Sequence, residues 1–269
     1  MGRLTTRRAV VRIDGAATLS RPDTLAVEEP LEVRVAGDVI TVTMRTPGDD
    51  MDLAAGFLVS EGAISRTDQL VSMRFCAGST GALGANTYNV LDVDLTVAGP
   101  TPRASYISSS CGICGSASLE AVRTATSFAV SGDPLVISRT QLATLPDRLR
   151  EQQRVFDKTG GLHAAGLFSA DGELLCLRED VGRHNAVDKV VGWALREGRL
   201  PLAGSVLMVS GRASFELVQK AWMAGIPFLA AVSAPSSLAV DLAKEAGMTL
   251  VGFLRGASMN VYCGEQRVL

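Results

Sequence analysis

The C-terminal half of the chain alternates strand-like and helix-like runs, and this alternation restricts the fold more than any other feature. "LHAAGLFSADGELLCLR" reads as a β-hairpin turning at Asp171-Gly172. "HNAVDKVVGWALREG" carries Ala186, Val187, Val190, Val191, Ala194 and Leu195 at helical spacing. "SVLMVS", "PFLAAVS" and "TLVGFLRG" are short apolar strands. Helices through "SFELVQKAWMAG" and "SSLAVDLAKEAG" separate them, with Gly225 and Gly247 where C-caps are wanted. Ahead of the hairpin, "QLATLPDRLREQQRVF" predicts a helix interrupted near Pro146. The whole pattern predicts a parallel sheet with right-handed crossovers and helices on both faces.

The N-terminal half is different in kind. "LEVRVAGDVITVTMR" predicts a hairpin around Gly37-Asp38. "TPGDDMDLAAGFLVSEGAI" predicts a helix with Asp49 or Asp50 as its cap and Leu53, Phe57 and Leu58 as its buried stripe. "LVSMRFC" and "YNVLDVDLTV" read as strands, and "SASLEAVRTAT" as a short helix. The chain has 269 residues, room for two modest domains. The expected division is a loose, aperiodic arm at 1–27, a mostly-β α+β domain at 28–130 including a Cys-x-x-Cys loop at 104–117, and the alternating α/β domain at 131–269.

Charge and cysteine usage narrow the function classes. The formal net charge is −2, which gives no electrostatic reason to bind nucleic acid or an anionic membrane surface. The basic start "MGRLTTRRAVVRIDG" is followed by no apolar run of signal-peptide length, and runs such as "IPFLAAV" are too short to span a bilayer. Five irregularly spaced cysteines do not form a secreted disulfide framework. The expected location is the cytoplasm.

In an α/β unit, ligands gather beyond the C-terminal ends of strands, where helix N-termini present free amides. "EDVGRHN" supplies Asp180, Arg183 and His184 at one such place. "VSGRASFE" supplies Ser210, Gly211 and Arg212 at another, and "FLRGAS" supplies Arg255 and Gly256 at a third. Arginines at several strand ends pointing one way form a phosphate site. The element order from Thr140 resembles that of the cytidine deaminase-like fold, a three-layer α/β/α domain. A zinc deaminase needs His-x-Glu at one helix start and Pro-Cys-x-x-Cys at the next. Here those places read His184-Asn185-Ala186 and Ser210-Gly211-Arg212. The deaminase chemistry is absent and no zinc is expected.

"SSSCGICGSAS" places Cys111 and Cys114 in a loop of serines and glycines. A structural zinc wants four ligands, and neither a second Cys-x-x-Cys nor neighbouring histidines are present. A polar, glycine-rich loop suits reactive thiols better than inert ones. Two kinds of chemistry remain, thiol–disulfide exchange and the carriage of sulfur as a persulfide, and the residues alone do not separate them.

Five segments together resemble one family. They are "EEPLEVRVAGDVITVTMRTPGDDMDLAAGFLVSEG", "SSSCGICG", "GGLHAAGLF", "REDVGRHNAVDKVVG" and the run from "VSGRASFELVQKAWMAG" to "VGFLRG". They are similar to the formate dehydrogenase accessory sulfurtransferase family, of the FdhD type, from about Glu28 to the C-terminus. The resemblance implies a sulfurtransferase that accepts sulfur from a cysteine desulfurase as a persulfide. The sulfur passes to the bis(molybdopterin guanine dinucleotide) molybdenum cofactor of formate dehydrogenase, which is its cargo. It implies Cys111 as the carrier, assisted by Cys114, and a homodimer with a cytidine deaminase-like C-terminal domain. It also places nucleotide contacts on Phe253, Leu254, Arg255, Gly256, Ala257 and Ser258, in a pocket that a GDP-like guanine nucleotide would fill. A cofactor-holding chaperone without sulfur chemistry is the alternative of another class.

Overall fold

The computed structural model describes residues 4–76, 88–100 and 126–269. The first strands, β1 (Thr5–Asp14) and β2 (Ala17–Ala26), pair antiparallel with Thr5 opposite Ala26. The loose arm expected here is thus a hairpin. Its apolar residues Val11, Ile13 and Leu19 are all exposed. Neither face is buried, so the in–out alternation by which a strand is recognised has no cause to arise. The base of the hairpin touches the short helix described below as α3.

β3 (Glu29–Val35) and β4 (Asp38–Arg45) follow, joined through Ala36 and Gly37 at φ of 52° and 87°. Positive φ at both positions matches the strand twist, and it sets the turn one residue earlier than expected. With β5 (Leu70–Phe75) and β6 (Val90–Leu95) they form a sheet of order β4-β3-β6-β5. Leu31, Val33, Leu91 and Val93 bury one face of it against α1 (Asp50–Ser60). Asp49 stands at the N-cap of α1 but its side chain caps nothing, and Asp50 instead accepts two bonds from the buried Arg45 at 2.9 and 3.2 Å. The predicted helix at "SASLEAVRTAT" lies outside the described residues.

The second part is the three-layer α/β/α domain. α2 (Arg139–Glu151) begins in a capping box, in which Ser138 accepts from the Gln141 amide at 3.1 Å. Pro146 lies inside α2 without interrupting it. A proline removes one bond, while Leu142, Leu145 and Leu149 on the buried stripe hold both sides of it. The break comes after Gln152, where α3 (Arg154–Thr159) starts. Then come β7 (His163–Ser169), β8 (Leu174–Asp180), α4 (Arg183–Arg196), β9 (Ser205–Val209), α5 (Phe215–Met223), β10 (Phe228–Ala231), α6 (Ser237–Ala246), β11 (Thr249–Arg255) and β12 (Ser258–Cys263).

The sheet order is β12-β11-β10-β9-β7-β8. Only β9, β10 and β11 are mutually parallel; the β7–β8 hairpin and β12 run antiparallel to their neighbours. The expected parallel sheet is therefore mixed, because two of its connections are hairpins rather than helical crossovers. Along β9, Leu207 and Val209 join the core under α4, α5 and α6, while Val206 and Met208 join the core under α2.

Helices α1 and α4 carry the link between the two parts. A methyl group on Gly56 would overlap the Asp188 carbonyl, and one on Gly192 would overlap the Asp52 carbonyl. The two backbones therefore touch, and only glycine fits at either crossing point. Nearby, the buried Asp188 takes Lys220 at 2.8 Å and Ser60 at 2.7 Å, tying α5 and α1 to α4. Replacement Gly192→Ala is expected to cost at least about 1–3 kcal/mol by overpacking. Chemical denaturation measures it, and an unchanged midpoint would show that the helices do not meet there.

Candidate functional site

The C-terminal ends of β9, β10 and β11 lie on one edge of the sheet. The start of β7 joins them because it runs antiparallel to β9. The Ser210 amide donates to the Ala164 carbonyl at 3.0 Å, and the Ala164 amide donates to Ser210 Oγ at 2.9 Å. Ser210 is thereby fixed beside His163. At this edge opens a cavity of about 620 Å³. Ser210, Val232, Leu254, Arg255 and Gly256 line it from the strand ends, and Gly160 to His163 from the loop before β7. Its remaining wall is helical: Asp147 and Arg150 of α2, Gln153 between the helices, and Phe156 of α3.

The three predicted arginines fall at three strand ends, but only Arg255 lines the cavity. Its Nε donates to the Val232 carbonyl at 3.3 Å, which aligns the exposed guanidinium across the end of β10. Gly256 turns the chain at φ 53° into β12. Arg183 stands behind His163. A methyl on Gly211 would come within 3.3 Å of His163 Nδ1 and 3.9 Å of Arg183 Cδ. The glycine thus makes room for neighbouring side chains. Arg183 Nε is buried without a hydrogen-bond partner among the described residues. Arg212 is exposed and does not line the cavity.

Other expected residues divide similarly. Leu254 is buried in the core beneath the cavity, whereas Phe253, Ala257 and Ser258 are exposed on the β11–β12 turn and do not line it. His184 lies 2.7 Å from Glu216 and 3.1 Å from Ser214 Oγ, bracing the start of α4 against α5. Asp180 is fully buried and paired with Lys189 at 2.8 Å, so it is a structural residue. Cys111 and Cys114 lie outside the described residues. Among the described residues no cluster of three or more His, Cys, Asp or Glu could hold a metal ion.

Sequence reasoning missed His163 and the helical wall. His163 sits opposite Asp180 across the β7–β8 ladder and beside Ser210, a pairing that only the mixed sheet produces. The glycine pair at 160–161 was the available signal for a close approach to a site.

The FdhD/NarQ family model matches residues 26–269. The chain belongs to the FdhD/NarQ family. A member named sulfur carrier protein FdhD from Streptomyces avermitilis is 62% identical, the match covering 100% of this chain and 97% of the relative. The protein of the same name from Mycobacterium tuberculosis is 55% identical over 100% of both chains. The crystal structure of a protein described as a formate dehydrogenase accessory protein, from Desulfotalea psychrophila, superposes with a TM-score of 0.79. It covers 99% of this chain and 100% of that one at 24% identity, which is a likeness of fold. Within the FdhD/NarQ fold of this chain, no helix among the described residues is long and apolar enough to cross a membrane.

The surroundings of His163 set a pH dependence. Burial first, then the charges of Arg183 and His184, push its pKa below the ordinary 6.5. The unfolded chain therefore binds more protons than the folded one as pH falls below 6.5, and stability drops there while remaining flat above it. His163→Gln should flatten the loss of Tm between neutral and mildly acidic pH. An identical slope in the variant would show that His163 does not carry this dependence.

Proposed function

We propose that the chain is a sulfur carrier serving formate dehydrogenase, with Cys111 as the persulfide site and Cys114 as its partner. The observation that carries this reading is the end-to-end identity of 62% to a protein named as a sulfur carrier. A cysteine desulfurase supplies the sulfur. The Cys111 thiolate attacks the terminal sulfur of the donor persulfide, a new S–S bond forms on Cys111, and the donor thiolate leaves. At delivery the Cys114 thiolate attacks Cys111 Sγ. Hydrosulfide departs toward the acceptor, a Cys111–Cys114 disulfide remains, and an external dithiol reduces it.

The acceptor in this reading is the molybdenum of a bis(molybdopterin guanine dinucleotide) cofactor, which is substrate rather than resident group. The cavity at the strand ends offers residues that suit its nucleotide portion. Arg255 and the Gly256 turn meet phosphate oxygens, and Ser210 offers a hydroxyl. Arginine is the favoured residue for such an anion because its fork binds two oxygens at once.

Incubation with a desulfurase and cysteine should add about 32 Da, lost on reduction and mapped to Cys111. Cys111→Ala should abolish both that adduct and the activation of formate dehydrogenase. An adduct of unchanged yield in the variant would overturn the assignment. Arg255→Ala should weaken GDP binding by about 1.5–3 kcal/mol, the worth of a charge-assisted hydrogen bond. Calorimetry reads this, and an unchanged Kd would remove Arg255 from the phosphate site.

A further inference from the structure

Where the first hairpin touches α3, a second cavity opens, of about 590 Å³. Thr5, Thr6, Arg7 and Thr24 line it from the hairpin, and Lys158 lines it from α3. The strand period explains the set. Arg7 stands opposite Thr24 in the ladder and Thr5 is two residues away, so these three side chains share one face. Thr6 belongs to the other face, where its hydroxyl accepts from Arg8 at 2.9 Å.

No carboxylate belongs to this lining. Arg7 and Lys158 form no ion pair among the described residues, although charges around them do. Arg12 lies 3.6 Å from Asp14, and Arg8 stands opposite Asp23. Asp157, beside Lys158 in sequence, is taken by Arg150 at 2.5 Å. Two like charges from separate elements thus border one open space. They repel, and no carboxylate among the described residues offsets it.

Two cations beside two half-buried hydroxyls make the donor set of an oxyanion site. A guanidinium forks onto two oxygens, an ammonium meets a third as a point charge, and threonine hydroxyls donate as well. A carboxylate has two oxygens in one plane. A phosphoryl group presents three in a tetrahedral array, which suits donors converging from two strands and a helix. The volume is that of a small-molecule site, so room remains beyond one phosphoryl group.

We propose that this cavity is a phosphate-type oxyanion site, in which Arg7 and Lys158 hold the anion between the hairpin and α3 while Thr5 and Thr24 donate to it. It shares no lining residue with the strand-end cavity and stands independently of the sulfur chemistry. Occupancy also acts on the hairpin. A two-stranded ribbon is marginally stable by itself, and an anion that bridges it to α3 ties its base to the domain.

The full chain is titrated with inorganic phosphate, with glycerol 3-phosphate and, at matched ionic strength, with sodium chloride. The amide NMR shifts of Thr5, Arg7, Thr24 and Lys158 are followed. Phosphate should shift them saturably and chloride should not, with a Kd on the order of millimolar because both cations are exposed. Arg7→Gln and Lys158→Gln should each weaken binding by about threefold or more. Lys158→Glu, which gives Arg7 a carboxylate partner, should abolish it. Arg255→Ala should leave these shifts as they are. Tighter binding of glycerol 3-phosphate than of phosphate would assign the site to the phosphoryl end of an organic ligand, and equal or weaker binding would assign it to the free ion. Shifts that chloride reproduces, that survive both glutamine substitutions, or that vanish in Arg255→Ala would overturn the site, as would the absence of any shift.

Discussion

Asp180 accepts hydrogen bonds from four donors while being fully shielded from water. The Thr46 amide lies at 3.1 Å, Lys189 Nζ at 2.8 Å, the Gly182 amide at 2.8 Å and Asn185 Nδ2 at 3.0 Å. Burial of a carboxylate and an ammonium costs several kcal/mol each, and only close pairing with every lone pair satisfied offsets it. That requirement fixes geometry. Thr46 closes the end of β4, Gly182 and Asn185 frame the start of α4, and Lys189 returns from the next turn of that helix to the Thr46 carbonyl at 2.9 Å. The turn that presents Arg183 is thus clamped to the N-terminal sheet. His163 lies opposite Asp180 in the β-ladder, so the edge of the cavity inherits the same anchor.

Within the N-terminal part, Arg45, 1% exposed, bonds Asp50 and reaches Asn89 Oδ1 at 3.0 Å. The seam between the two parts repeats this arrangement. Asp52 receives Arg178 of β8 at 2.8 Å and also Arg196 of α4. Asn185 donates to the Met44 carbonyl at 2.8 Å. Paired buried charges add little net stability compared with apolar packing, but they tolerate only one orientation. The glycine contacts between α1 and α4 add a steric version of the same rule, since any side chain there would separate the helices. The cavity wall contributed by β7 and the arginine turn before α4 are held in register by groups far from any ligand.

What was legible in the sequence follows from what each residue does. β9, β10 and β11 are buried on both faces and read as short apolar runs, and α4 shows a regular helical stripe, so the layered α/β architecture was visible. β12 was not, because "SMNVYC" is mostly exposed on an edge. The first hairpin was hidden for the same reason. The rule that ligands sit at strand ends pointed to Arg255 and Gly256, and both line the cavity at the end of β11. Asp180 was misjudged as a candidate ligand because its partners Thr46 and Lys189 are distant in sequence or on the next turn, and burial has no signature in one sequence.

The described thiols bear on the chemistry through their shared state. Burial pushes Cys176 up to about 12, and burial also raises Cys263. Cys76 donates to Asp92 Oδ2 at 2.7 Å, and that hydrogen bond, ahead of burial, raises its pKa as well. Sulfane sulfur moves from one thiolate to another, so a thiol held protonated is a poor acceptor. A carrier whose own scaffold offered thiolates would lose sulfur to them by internal exchange. Cys76 is the partly exposed member of the three and hence the one most able to compete. Its partner is a carboxylate, the one kind of neighbour that both binds the S–H proton and repels the thiolate. Asp92 therefore holds Cys76 in its thiol form, so that in the reading proposed above this thiol does not compete with Cys111 and Cys114 for sulfur.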